Sequence, residues 1–383
     1  MTSGPGDSAA TWRERALHFL YDARWVLIAF ALSRVVLFTV IVLSRLVFVR
    51  GELWQRGGLS DMLRLFDGEL WYMTIARHGY FFSTVEQSPM PFFPFFPLLV
   101  WLTSLVFHDL RVGGFIVPHL SLLAAGLCLH ALIKKDFPDP RVARVAVTFL
   151  MFNPVTVFFS SAYTESTFIM LATASFLAAI NGRWLLAGLI GMCLSATRNV
   201  GVLIALPLFL EYARQTWTQR RQFRDLLHPR VLLIGLVPLG LGAYILFSYL
   251  KFGEPLAFLE ASKVWGRRFT SPAETFKTLV HYRHYYRWLF LGTMGMSIAL
   301  LVAGALLRVR PIYLIWAALL TVTYLCASNM EAWPRFLSVE FPVYVVLGLV
   351  ASRVRWTYEP LLAGSVGLLI LNTILSASGF WFT

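Results

Sequence analysis

The chain has 383 residues, of which 58% are hydrophobic and 14% charged, with a mean hydropathy of +0.67. Soluble domains carry roughly a quarter charged residues, so the composition excludes one and points to a polytopic helical membrane protein. The net charge of +13 does not indicate nucleic acid, because the basic residues fall between apolar segments, as the positive-inside bias predicts.

Met1 to Arg24 is polar, lacks a cleavable signal pattern and is expected in the cytoplasm. The first span is expected over Trp25–Val49. Arg34 in its middle needs an internal partner, and a carboxylate is the expected one. A loop of residues 50–111 then lies outside. It carries Leu65-Phe66-Asp67-Gly68-Glu69-Leu70-Trp71-Tyr72-Met73-Thr74-Ile75-Ala76-Arg77-His78-Gly79-Tyr80, a polar and aromatic stretch beside a bilayer. Asp67 reads either as a general base toward a hydroxyl or as the cap of a helix starting near Gly68. Glu69, about 200° around that helix from Asp67, faces water. Trp71 and Tyr72 suit a sugar platform or an interfacial aromatic belt. Arg77 and His78 suit a phosphate or lipid head groups.

The run Pro89-Met90-Pro91-Phe92-Phe93-Pro94-Phe95-Phe96-Pro97 cannot be a regular helix. At membrane depth such backbone must be buried in protein or line a cavity. Residues 92–107 are expected to lie in the interface or dip in and return, because a crossing there would force Lys134, Lys135, Arg141 and Arg144 outside. Further spans are expected over 112–133, 142–160, 163–181, 184–198, 199–213, 231–250, 287–307, 311–328, 336–352 and 359–378, about 11 with the first. Five basic loops then fall inside, and Asp67, Glu165, Arg198 and Arg335 all fall outside. Charged residues at span ends are costly unless paired or facing a polar cavity, so this convergence predicts a cavity.

Asn153-Pro154 loosens the helix ahead of Ser160-Ser161-Ala162-Tyr163-Thr164-Glu165-Ser166. Glu165 reads as a helix cap near a positive helix end, or as a ligand for a substrate hydroxyl or an arginine. Arg198-Asn199 interrupts an apolar stretch, and the planar fork of Arg198 suits a lipid-linked phosphate. Arg335 reads as a second such group or as a snorkelling interface residue. The basic, aromatic loop Lys251–Tyr286 reads as a surface amphipathic helix or a cover for the cavity. Cys128, Cys193 and Cys326 lie in apolar stretches without metal-ligand spacing. No phosphate loop, nucleotide fingerprint or nucleophile elbow is present, so the donor is expected to be membrane-borne, with no cofactor and no metal.

The ordered set Phe66-Asp67…Trp71-Tyr72…Ile75-Ala76…Gly79-Tyr80, Phe93-Pro94-Phe95-Phe96-Pro97-Leu98, Phe152-Asn153-Pro154…Phe158…Ser161-Ala162-Tyr163-Thr164-Glu165-Ser166 and Arg198-Asn199…Gly201 resembles the GPI mannosyltransferase II (PIG-V) family and its bacterial relatives. That family belongs to the GT-C superfamily of integral membrane glycosyltransferases. The resemblance implies an all-α transmembrane bundle, a polyprenyl-phosphate sugar donor (usually mannose), an outer active site, inversion at the anomeric carbon, and Asp67 as catalytic base. Glu165 and Arg198 match motif positions. The family's Arg-Ser-Asn-Gly-like turn is Arg198-Asn199-Val200-Gly201 here, a departure at Asn199.

The expected organisation is one integral domain: a tail over 1–24, a GT-C module over 25–213 with catalytic loop 50–111, and C-terminal helices over 214–383. The expected function is hexosyl transfer from polyprenyl phosphate to a lipid-linked or membrane-associated acceptor. Asp67 acts as base, and Glu165, Arg198, Arg335, Trp71, Tyr72, His78, Tyr163 and Asn199 bind substrate. The expected setting is a monomer in a bacterial inner membrane, or the endoplasmic reticulum in a eukaryote. The rival is a transporter or flippase of lipid-linked sugars. The absence of a repeat or of inverted halves weighs against that rival.

Overall fold

The computed structural model describes residues 12–48, 66–220, 228–281, 287–328 and 332–380. Side chains are described from Ala23 in the first helix and from Trp71 in the second. The helices are α1 (Trp12–Phe48), α2 (Phe66–His78), α3 (Phe95–Phe107), α4 (Leu110–Asp136), α5 (Pro140–Met151), α6 (Glu165–Ile180), α7 (Trp184–Ser195), α8 (Ala205–Arg220), α9 (Val237–Phe252), α10 (Ala257–Val264), α11 (Pro272–His281), α12 (Arg287–Leu306), α13 (Pro311–Leu325), α14 (Trp333–Ser338), α15 (Pro342–Arg353) and α16 (Tyr358–Ala377). The described residues contain no strand beyond one isolated antiparallel bridge, Phe269 to Ala327. The protein is an all-helical bundle.

Five helical stretches among the described residues are long and apolar enough to cross a membrane: Ala23–Val47, Leu110–Asp136, Pro229–Phe252, Arg287–Leu306 and Arg355–Ala377. Each exceeds or meets the roughly 20 residues needed for about 30 Å of hydrocarbon. Five shorter apolar helices lie between them: α3, α6, α7, α13 and α15. Thirteen residues of α3 span about 20 Å, short of a crossing. Of the spans expected from sequence, residues 142–160 differ most. The helix there stops at Met151, and α6 starts only at Glu165.

Local rules set the boundaries. Asp109 and Asp139 cap α4 and α5, each accepting a backbone N–H two residues on, at 2.8 Å, and Pro140 opens α5 where its missing donor costs nothing. The core lies where α4 packs on α6, α5 on α15, and α6 on α7. At its centre Phe168, Phe176, Tyr313, Trp316 and Phe341 meet ring to ring.

The end of the bundle where α4 closes is basic, with Arg214 and Arg310 meeting there. There Asp136, at the end of α4, receives Nε of Arg310 at 2.9 Å and Nη2 of the same residue on one oxygen, and the hydroxyl of Tyr313 at 2.8 Å on the other. Beside it Glu211 of α8 receives Arg214 at 2.9 and 2.6 Å and Gln215 at 2.8 Å. Arg310 joins the two carboxylates, reaching Glu211 at 3.5 Å. Gln215 also donates to the carbonyl of Ala179 near the end of α6, at 3.0 Å. The start of α6, about 20 Å away by helix rise, is occupied by Glu165.

Residues 152–164, between α5 and α6, are buried but not helical. Pro154 cannot continue the ladder, so the segment descends in tight turns, with Asn153 bonding Leu150 O at 2.8 Å and Val155 N at 3.0 Å. The freed carbonyls find partners from distant helices. Ser365 donates to Phe152 O and Asn372 to Pro154 O, each at 2.8 Å. Arg34 donates to Met151 O at 3.1 Å, to the Thr156 hydroxyl at 2.7 Å and to the Ser160 hydroxyl. The partner of Arg34 is therefore not a carboxylate, as expected from sequence, but the broken backbone of this segment. Buried backbone groups need partners, and a guanidinium with five donors supplies several at once.

Candidate functional site

Glu165 is fully buried at the first residue of α6. Its Oε1 receives three donors: Arg198 Nη2 at 2.6 Å, Arg335 Nη2 at 2.7 Å and Arg335 Nε at 3.1 Å. Its Oε2 is buried without a hydrogen-bond partner among the described residues. Arg198 Nε donates to the Thr164 hydroxyl at 2.7 Å. Aromatic faces line both guanidiniums. Arg198 lies 5.4 Å from the Phe168 ring centre, and Arg335 lies 4.5 Å from Phe158 and 4.6 Å from Tyr163. Such faces favour a cation, more so when water is excluded.

Three separate pieces of chain make this cluster. The turns of residues 152–164, held by Arg34, deliver Tyr163, Thr164 and Glu165. Arg198 precedes a 3-10 turn over Asn199–Ile204 with extended backbone, φ −150° and ψ 142°. That turn closes on α7 only because residue 201 is glycine: a Cβ there would lie 2.3 Å from Leu194 O. Gly240 of α9 approaches α7 in the same way: a Cβ there would lie 2.0 Å from Met192 O. Glycine permits such close approach of backbones. Ser195 Oγ seals the contact by donating to Val237 O at 2.5 Å. Arg335 comes from the short helix α14, opened by Trp333-Pro334, and its carbonyl accepts the Ser338 hydroxyl at 2.6 Å.

The first-loop helix α2 docks against this cluster. Tyr72 and Ile75 are its buried residues and pack with Phe96, Val100, Val117 and Ala162. The Tyr72 hydroxyl faces Thr164 and lies within electrostatic reach of Arg198, Glu165 and Arg335. Burial pushes its pKa up, and the pull of Arg198 does not offset this. The helix starts at Phe66 rather than near Gly68, so Asp67 is its second residue. The side chains of Asp67 and Glu69 lie outside the described residues.

The sequence-predicted residues therefore divide. Glu165, Arg198, Arg335, Tyr163 and Tyr72 come together. Trp71 instead joins an aromatic group with Phe81, Phe92 and Trp265. His78 is exposed in the last turn of α2, and no hydrogen bond of the cluster reaches it. Asn199 is exposed, and its Oδ1 accepts the backbone N–H of Val200 at 2.9 Å; it caps its own turn. Thr164 and Phe168 are additions that sequence reading left without a role, although each neighbours a residue it singled out or shares a turn with one.

The proline-rich run is buried backbone of the kind its sequence demanded. Tyr80 donates to Phe92 O at 2.6 Å and Tyr244 to Met90 O at 2.8 Å. Phe95 N reaches Ala196 O at 3.0 Å, two residues before Arg198. The last turn of α9, together with α10, covers this region: Lys251 donates to Tyr80 O at 3.3 Å, and Phe258 packs on Phe93. The chain after α10 is pinned to the end of α13 by Thr270 N to Cys326 O at 2.8 Å.

The arrangement is a preorganised pair of guanidiniums about a half-satisfied carboxylate. The Arg198 and Arg335 side chains are 16% and 11% exposed, so the cluster is reachable. Among the described residues no group of three or more His, Cys, Asp or Glu is placed to hold a metal.

No protein-family model matches the chain, and no curated protein does. Solved structures are similar in fold. ArnT from Cupriavidus metallidurans bound to undecaprenyl phosphate has a TM-score of 0.51 at 14% identity, over 92% of this chain and 76% of that one. The apo state of the same protein gives 0.50 at 13% identity, over 92% and 75%. The Archaeoglobus fulgidus oligosaccharyltransferase in complex with Zn and sulfate gives 0.48 at 14% identity over 91% of this chain, which spans about half (53%) of that protein. The fold of this chain is thus similar to that of ArnT.

Proposed function

We propose that the chain is a GT-C glycosyltransferase that moves mannose, or a similar hexose, from polyprenyl phosphate to a lipid-linked or membrane-associated acceptor on the outer face. The observation that carries this reading is the Arg198–Glu165–Arg335 cluster beside the helix that carries Asp67 in its first turn. In the reaction the acceptor hydroxyl attacks the anomeric carbon, its proton passes to the Asp67 carboxylate, and the bond from that carbon to the phosphate oxygen breaks with inversion. Arg198 and Arg335 offset the charge on the departing polyprenyl phosphate, a preorganised electrostatic role. The ArnT complex with undecaprenyl phosphate supports a lipid phosphate as the ligand class. The motif set supports mannose and the kinship with GPI mannosyltransferase II, and it leaves the acceptor to experiment.

Purified protein given polyprenyl-phosphomannose and membrane acceptors should release polyprenyl phosphate. Asp67→Asn should slow this by about 10²–10⁴-fold, the usual worth of general-base help. A folded Asp67→Asn protein with full activity would remove the base assignment.

The flippase reading requires access from both ends. The ionic network of Asp136, Glu211, Arg214 and Arg310 ties α4, α8 and α13 at the basic end, which favours one-sided access and so the enzyme. Translocation of the lipid without cleavage would reverse that preference.

A further inference from the structure

Among the described residues, two buried polar groups next to Arg198 are left incompletely paired: Oε2 of Glu165 has no donor, and the O–H of Tyr324 has no acceptor. Glu165 is 0% and Tyr324 7% exposed. A buried polar atom left unpaired costs about 1–3 kcal/mol, so such atoms are rare unless something else pairs with them. These two are neighbours in the same field. The Tyr324 hydroxyl lies within hydrogen-bonding reach of the Arg198 guanidinium, which can only donate, and within electrostatic reach of Glu165 and Glu340. Its ring is fixed from behind by stacking on Phe336, centroids 4.2 Å apart, and by the edge of Trp333. Both of those residues sit on α14 with Arg335, so the tyrosine is held in register with the arginine cluster.

The chemistry of the two atoms distinguishes what they can bind. Carboxylate Oε2 accepts only, and a phosphate oxygen, also an acceptor, would be repelled by it. A phenol hydroxyl donates or accepts. An acceptor beside a donor matches a sugar hydroxyl, or two adjacent ones, each able to give one hydrogen bond and take another. The exposed edge of Arg198 is left for the phosphate. The cluster thereby has two sides, one for the charge and one for the sugar.

We propose that Tyr324, with Oε2 of Glu165, forms a subsite for hydroxyl groups of the donor hexose, and that Tyr324 is a specificity-determining residue. This rests on the proposed lipid-phosphate sugar donor, and the test separates the two. Binding of polyprenyl phosphate and of polyprenyl-phosphohexoses (mannose, glucose, galactose) is measured on the full chain in lipid nanodiscs, for the wild type and Tyr324→Phe. Because the Tyr324 O–H has no internal acceptor among the described residues, Tyr324→Phe should keep close to the wild-type melting temperature. The wild type should bind at least one hexose-bearing lipid about tenfold more tightly than polyprenyl phosphate. Tyr324→Phe should lose most of that advantage and keep its affinity for polyprenyl phosphate. Monodeoxy versions of the preferred donor give an independent reading: one should bind the wild type about tenfold more weakly, and that penalty should vanish in Tyr324→Phe. Full sugar discrimination by Tyr324→Phe, or a melting temperature lowered by several degrees, would overturn the subsite. So would a wild type that binds the lipids while ignoring every hydroxyl of the sugar. Failure to bind any of the lipids would instead bring down the lipid-donor reading, and the subsite with it.

Discussion

The molecule buries two ionic clusters at opposite ends of α6, and they are built to different standards. At the basic end, all four carboxylate oxygens of Asp136 and Glu211 have donors: Arg310 and Tyr313 on the first, Arg214, Gln215 and Arg310 on the second. At the other end, one carboxylate oxygen takes three donors and its twin takes none among the described residues. A fully satisfied buried network rigidifies, whereas a partly satisfied one costs free energy that must be recovered. The first cluster is a fastening. The second is a fastening in which one buried acceptor, Oε2 of Glu165, is left unpaired among the described residues.

Substitutions can break or sharpen that contrast. The largest effect on rate is expected from Arg198→Gln, with transfer slowed about 10²–10³-fold, as when one preorganised stabilising donor is removed. Its melting temperature should fall far less than the rate implies, because Arg335 still holds Glu165. The largest effect on stability is expected from Arg310→Met, which leaves Asp136 with Tyr313 alone; breaking a buried pair costs about 3–5 kcal/mol. Denaturation in detergent should show that loss, while the folded fraction keeps near-normal kcat. A weaker effect, about 1–3 kcal/mol for buried acceptors left unpaired, is expected from Arg34→Met, with activity falling as the turns of residues 152–164 loosen. The smallest is expected from Asn199→Ala and His78→Ala, each within about 0.5 kcal/mol and with unchanged rates. A large rate defect in either would mean that the site extends beyond the cluster.

Much of the Glu165 cluster was legible in the sequence, for a physical reason. In a chain this apolar, a charge at a span end must find a partner, so Glu165, Arg198 and Arg335 could be grouped although 33 and 170 residues separate the arginines from the carboxylate. Helix positions followed from apolar run length. What failed was partner identity. Arg34 was expected to meet a carboxylate because mid-span charge suggests a counter-charge; the break at Pro154 instead exposes carbonyls and hydroxyls that a guanidinium satisfies equally well. His78 and Asn199 were grouped with the site by proximity in sequence, but a helix end and a tight turn direct them outward. The basic-end network went unseen because Asp136 and Glu211 sit among many arginines, where pairing is set by the packing of α4, α8 and α13. The place of Tyr324 beside the cluster was hidden for a similar reason: it is set by the packing of its ring on Phe336 and Trp333 of α14.

The central claim is that the half-satisfied cluster handles a lipid-linked sugar phosphate. The most direct test is release of polyprenyl phosphate from polyprenyl-phosphomannose by purified wild-type, Arg198→Gln and Arg310→Gln proteins at equal folded concentration. The account predicts release by the wild type, near-wild-type release by Arg310→Gln and at least a 100-fold loss in Arg198→Gln. Equal rates for Arg198→Gln and the wild type, or a greater loss in Arg310→Gln than in Arg198→Gln, would contradict it.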